Sequence, residues 1–195
     1  MIRNLTNEAA VVKQNGEIES RDHLKNKLKK LFLSFVLLWA VVPVAYSQQY
    51  DSENDFAVLR RNFNVFIMEY NGTKQIVSIP PRIKKRKVIF IGANAFRNKN
   101  LVSVTIPNSV TSIRTNSFSN NNLTRVTIPN SVTVIFATAF EQNPITNITI
   151  GGNVEFIEYK GHKIVFNNEF DDFYIAQGRK AGTYTYNNGR WSITE

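Results

Sequence analysis

The residues able to carry out chemistry in this 195-residue chain are few. Two histidines are present, His23 and His162, and there is no cysteine. A disulfide framework, a thiolate nucleophile and a thiolate metal site are therefore excluded, and two histidines do not make a histidine-rich metal centre. His162 sits in Tyr159-Lys-Gly-His-Lys163, a turn-like setting, and no G-x-S-x-G elbow accompanies it. Asp171-Asp172 reads as an acidic pair on a loop, without the ligand spacing of a calcium site. No glycine loop of the phosphate-cradling kind occurs. The reading therefore predicts no catalytic residue, no metal and no cofactor. What remains is recognition chemistry. Arg82, Lys84, Lys85, Arg86 and Lys87 form a run interrupted only by Ile83. It suits an anionic surface or a sulfated glycan, or is simply a solvated connector. Tyr184, Tyr186 and Trp191 offer a sugar-stacking platform, or are cross-strand packing.

The elements that position these groups come from a repeat. With 43% apolar residues the chain can build a core. Ile91, Phe96, Leu101, Val104, Ile106, Val110 and Ile113 recur 22 residues later as Ile113, Phe118, Leu123, Val126, Ile128, Val132 and Ile135. A second shift gives Ile135, Phe140, Ile145, Ile148, Ile150, Val154 and Ile157. The stretch VTIPNSVT occurs verbatim at 104–111 and 126–133. A fixed period of this length is the mark of stacked coils that share one core. The end of each L-x-x-V-x-I segment alternates and is stopped by Pro107 or Pro129, so it predicts a strand; S-V-T-S-I predicts a second short extended segment. Phe96, Phe118 and Phe140 are expected in one internal spine. The outward strand positions are Ser103 and Thr105, Arg125 and Thr127, Asn147 and Thr149. They predict a small polar face for a partner, or a solvated sheet of good strand formers.

The pattern I-x-x-x-A-F-x-x-x-x-L-x-x-V-x-I-P-x-S-V-x-x-I resembles the BspA-like leucine-rich repeats of bacterial surface proteins. The resemblance covers 91–157. Residues 76–91 look like the family's opening half-repeat, with Ile79-Pro80-Pro81 in the I-P-x slot and an insertion of five. The resemblance implies a β-rich leucine-rich-repeat solenoid of about three full repeats, with a parallel strand ladder. It also implies a non-enzymatic protein that acts in adhesion or host-protein binding. Two departures stand out. Asn108 and Asn130 come two places after Ile106 and Ile128 where the general consensus has three, and Gly151 and Gly152 replace Pro and Asn in the third unit. Hairpin-like caps are expected at both ends, one turning at Asn71-Gly72 and one at Asn188-Gly189.

Residues 24–30 read LKNKLKK, and Leu31–Ala45 carries no charge. That apolar run is shorter than the ~20 residues of a spanning helix. With Ala45-Tyr46-Ser47 it has the parts of a secretory signal peptide cut after Ser47; an uncleaved anchor is the other reading. The residues before Leu24 are overlong for such a leader, so the start is expected near Leu24. The domain reading is 1–47 signal peptide, 48–90 N-terminal cap and opening half-repeat, 91–157 repeats, 158–195 C-terminal cap. Removing 1–47 takes seven of 24 bases and four of 15 acids and leaves net +6. An exported chain without cysteine points to a bacterium, with the product secreted, periplasmic or at the cell surface. The expected partner is a protein bound on the strand face, with an anionic glycan as the alternative. Nucleic acid is not expected, and a membrane only through an uncleaved N-terminal segment.

Overall fold

Alternation followed by proline dictates short strands, and short strands are what form. The computed structural model describes residues 11–12, 18–19, 25–26, 29, 49–166 and 169–194. The signal segment, its cut after Ser47 and the start near Leu24 lie outside the described residues. The chain divides into two compact units, 1–48 and 49–195. In the first, β1 (Val11–Val12) pairs antiparallel with β2 (Ile18–Glu19). The second has a hydrophobic core whose members among the described residues run from Phe56 to Trp191. A unit with its own core folds as an independent domain.

The second unit winds as a β-solenoid. Its elements are β3 (Phe56–Arg61), β4 (Asn64–Tyr70), β5 (Ile76–Ser78), β6 (Arg82–Ile83), β7 (Arg86–Ile91), β8 (Ser103–Thr105), β9 (Ser112–Ile113), β10 (Arg125–Thr127), β11 (Val134–Phe136), β12 (Asn147–Ile150), β13 (Glu155–Ile157), α1 (Phe170–Ala176), β14 (Gly182–Asn187) and β15 (Arg190–Thr194). The V-x-I segments form β5, β8, β10 and β12. The longest ladder lies instead along the second extended segment, where β4, β7, β9, β11 and β13 run parallel in that order. β3 closes its N-terminal edge in antiparallel fashion. Five parallel strands make about four turns, one more than the period alone predicts.

Insertions at both ends of the repeat region hide the full extent of the period. β5 pairs with β8 so that Ile76 faces Ser103, 27 positions on, whereas Arg125 faces Asn147 at 22. The five extra residues are spent on the β6–β7 hairpin. Beyond the third repeat, a turn closed by the Tyr159–His162 bridge delays the next aromatic until Phe166. The spine is accordingly longer than three rings. Tyr70, Phe96, Phe118, Phe140 and Phe166 stack at centroid separations of 5.4, 4.9, 5.1 and 4.9 Å. All five are buried. Between β11 and β13 the register slips: Ile135 faces Phe156, so Phe156 points inward where the period places Ile157. A one-residue slip moves a side chain to the other face.

The N-terminal cap differs from the expected one. Residues 64–70 and 76–78 belong to different sheets, so Asn71-Gly72 is a corner and not a hairpin turn. Asn71 N–H is held there by the carbonyl of Asp55 at 2.7 Å. The hairpin that caps this end is β3–β4, turning at Asn62-Phe63. At the C-terminus β14 and β15 turn at Asn188-Gly189, both with positive φ, as predicted.

The chain also turns tightly on both sides of each Phe. Asn94 and Asn116 hold left-handed backbone two places before Phe96 and Phe118, and Asn98 and Asn120 two places after; in the third coil Thr138 and Gln142 take these positions around Phe140. A second kind of asparagine points inward. Asn121 donates from Nδ2 to the carbonyls of Phe96, Phe118 and Ser119 at 2.8, 2.9 and 3.2 Å. Its Oδ1 accepts from the amides of Leu101 and Lys99 at 3.0 and 3.1 Å. Asn143 repeats this one coil later.

Candidate functional site

The outward positions of β8, β10 and β12 are where alternation places them. Ser103, Thr105, Arg125, Thr127 and Thr149 are exposed, and Asn147 is half-buried. Val126 and Ile148, between them, are buried. The face does not end at β12. β14 pairs antiparallel with it, setting Asn147 opposite Thr185 and Thr149 opposite Thr183. Asn147 Nδ2 donates to Thr185 Oγ1 at 3.3 Å, and the Thr149 and Thr183 hydroxyls are 3.0 Å apart. β15 adds Ser192 beside Thr185 and Thr194 beside Thr183. Two polar rows result. One runs Arg125, Asn147, Thr185, Ser192, the other Thr127, Thr149, Thr183, Thr194. Ser103 and Thr105 continue the surface on β8, which pairs with β5 in a sheet of its own. Thr183, Thr185, Ser192 and Thr194 are not apparent from the repeat because β14–β15 reads as a hairpin cap; the T-Y-T-Y alternation at 183–186 is the available signal.

That alternation puts the aromatics on the other side. Tyr184 is fully buried and Trp191 nearly so. Their rings pack on Phe170 of α1 at 5.3 and 4.9 Å, and the Tyr184 hydroxyl donates to the Lys180 carbonyl at 2.8 Å. The sugar-stacking platform is therefore closed by packing. Asp171-Asp172 lies in the first turn of α1 and not on a loop. His162 stays exposed in its turn.

Asp171 clamps the helix to the preceding chain, accepting from the amides of Val165 and Phe166 at 2.5 and 3.2 Å. It lines an open cleft of about 560 Å³ with Glu141, Glu158 and Asp172. Burial pushes its carboxyl up to about 7, against the pull of the two N–H donors. An unfolded Asp titrates near 3.9. Between these values the folded state holds a proton that the unfolded state has lost, so stability falls as pH rises from about 4 to about 7. Urea midpoints of residues 49–195 are expected to decline across that window. Asp171→Asn, which keeps the acceptor, is expected to level the decline; an unchanged slope in that variant would exclude Asp171 as its source.

The basic run 82–87 forms β6, a two-residue turn at Lys84-Lys85 and the start of β7. Arg82, Lys84, Lys85 and Lys87 are exposed and Arg86 is half-buried. The outer face of the long ladder carries a feature the sequence reading did not single out. Phe66 and Phe90 meet edge to face at 4.9 Å, and the Arg114 guanidinium lies over Phe136 at 3.8 Å. The unbroken apolar run Val88-Ile-Phe-Ile91, with no polar side to face water, held that signal.

A family model for the BspA type leucine rich repeat region matches residues 72–176, in six copies. Among solved structures, the chain is similar to a T. pallidum leucine rich repeat protein (TM-score 0.44, 16% identity, 58% of this chain and 65% of that one). It is also similar to a leucine rich cell surface protein from Faecalibacterium prausnitzii A2-165 (TM-score 0.26, 15% identity, 76% of this chain and 62% of that one). This chain thus spans less than two thirds of the length of either. No curated protein matches it.

Proposed function

The chain belongs to the BspA-type leucine-rich repeat family, and from that premise we propose that residues 49–195 bind a protein partner through the strand face, in an exported protein at a bacterial surface. The family is generally non-enzymatic, and its leucine-rich repeats serve protein interaction. The observation that carries the reading is the pair of polar rows across β10, β12, β14 and β15. A rigid ladder presents short side chains at fixed spacing, so little side-chain entropy is lost on contact. The rows contain one charge, Arg125, so contacts made there depend on hydrogen bonds and shape, and added salt weakens them little. In this reading 1–47 is the export segment, 48–90 and 158–195 are caps, and 91–157 carries the repeats.

The test uses residues 49–195 on a support, with extract or purified surface proteins as the analyte. A variant with Thr127→Glu and Thr149→Glu is expected to lose about tenfold in affinity for whatever the wild type retains. Ser112→Glu, on the other ladder, is expected to keep it. Equal retention by both variants would end the strand-face reading.

A further inference from the structure

Two hairpin tips meet at one corner of the solenoid, and together they have a composition that neither has alone. The β3–β4 tip is Arg61-Asn62-Phe63-Asn64 and the β6–β7 tip is Ile83-Lys84-Lys85-Arg86. The sheet register lines them up: Arg61 faces Asn64, Asn64 faces Lys87, and Lys87 faces Arg82. Arg86 Nη1 also donates to the Asn62 carbonyl, tying one tip to the other. Arg60 and Arg61 of β3, Arg82 of β6, Arg86 and Lys87 of β7, and Lys84 and Lys85 of the β6–β7 turn are thereby gathered at one corner. Among the described residues, the Glu53 carboxylate reaches in and accepts the Lys84 backbone N–H at 2.8 Å.

Two further observations separate this corner from a solvated connector. Phe63 is 87% exposed at the crest of its hairpin, and Leu59, on the outer side of the same hairpin, is 54% exposed. Lys84 and Lys85 have φ of 49° and 66°. A two-residue turn with both φ positive is the place for Asn-Gly, and side chains held in left-handed backbone carry strain of the kind that collects at working sites. The β6–β7 tip is also the five-residue insertion that breaks the period, so the repeat itself does not require it.

We propose that this corner docks on an anionic phospholipid bilayer, with Phe63 set into the headgroup layer and the surrounding cations on lipid phosphates. Charge complementarity names the surface: a cluster of bases seeks a sheet of phosphates. The apolar crest chooses a bilayer over a soluble polyanion, because an exposed ring gains by entering the acyl boundary and gains nothing from a sulfate. The site is separate from the strand face and goes beyond the function proposed above.

Flotation of residues 49–195 with vesicles tests it, the fragment being free of the apolar 31–45 run. Binding is expected to phosphatidylcholine vesicles containing phosphatidylglycerol, and not to phosphatidylcholine alone. Lys84→Asn with Lys85→Gly installs the favoured turn, so the thermal midpoint is expected to rise while vesicle affinity falls roughly tenfold. Phe63→Ser is expected to weaken vesicle binding about fivefold at an unchanged thermal midpoint and unchanged retention on heparin. Equal binding to neutral vesicles, indifference to Phe63→Ser, or heparin retention without flotation would each overturn the proposal. None of these results bears on the strand face.

Discussion

Replacing Phe118 by Ala is expected to lower the unfolding free energy of residues 49–195 by ~3–5 kcal/mol. The ring is fully buried and stands between Phe96 at 4.9 Å and Phe140 at 5.1 Å, with interplanar angles of 19° and 13°. Its removal forfeits the transfer of the ring from water and both stacking contacts. It also leaves a cavity that Phe96 and Phe140, held in place by backbone hydrogen bonds to the next coil, cannot collapse to fill. The position in the stack adds a second consequence. Solenoid stability is close to a sum of coil terms and nearest-neighbour interfaces, and Phe118 is the middle of five rings. The variant is therefore expected to unfold less cooperatively, with a smaller urea slope as well as a lower midpoint. Phe63→Ala, at an exposed tip, is the control and is expected to cost less than ~0.5 kcal/mol. A Phe118→Ala loss under ~1 kcal/mol would mean that coil stacking does not hold this unit together.

The parts of the fold legible in the sequence are those written once per coil. The period placed Phe96, Phe118 and Phe140 in one column and set Ser103, Thr105, Arg125, Thr127 and Thr149 outward, because both consequences follow from identical coils stacked in register. What was not legible depends on where the register changes. Tyr70 and Phe166 extend the spine, yet each lies 26 positions from its neighbouring Phe. Asn71-Gly72 carries a hairpin signal, but β4 finds better partners in β3 and β7 than in the next segment. Tyr184 and Trp191 alternate as a strand should, and alternation alone does not say which side is wet. That is decided by α1, the preceding element, whose Phe170 packs on both rings. The candidate site was half visible for the same reason: its repeat strands share a motif, whereas β14 and β15 join it through a pairing that no local pattern announces.

The inward asparagines are the sharpest case, since in sequence they look like turn residues. Asn121 is nearly buried, joins carbonyls from two coils and accepts two amides. Asn121→Ala is expected to cost ~3–4 kcal/mol, because the Leu101 amide and at least one carbonyl are left buried without a partner, each at roughly 1–3 kcal/mol. Asn122, next along the chain, is exposed, and Asn122→Ala is expected to stay within ~0.5 kcal/mol. Residue composition treats the two alike, so the difference between them measures what stacking has done to one of them. Hydrogen exchange gives a local readout. The Leu101 amide is held by Asn121, and the Leu123 amide by Asn143 at 3.1 Å. In Asn121→Ala the first is expected to exchange faster while the second keeps its protection until global unfolding. Matching stability losses in the two variants, or loss of protection at both amides together, would show that the asparagine contacts follow from the coil geometry and do not enforce it. A larger loss at Asn121 confined to its own corner would show that one amide per coil fastens each turn to the next. That fastening is what keeps the outward rows at a fixed spacing.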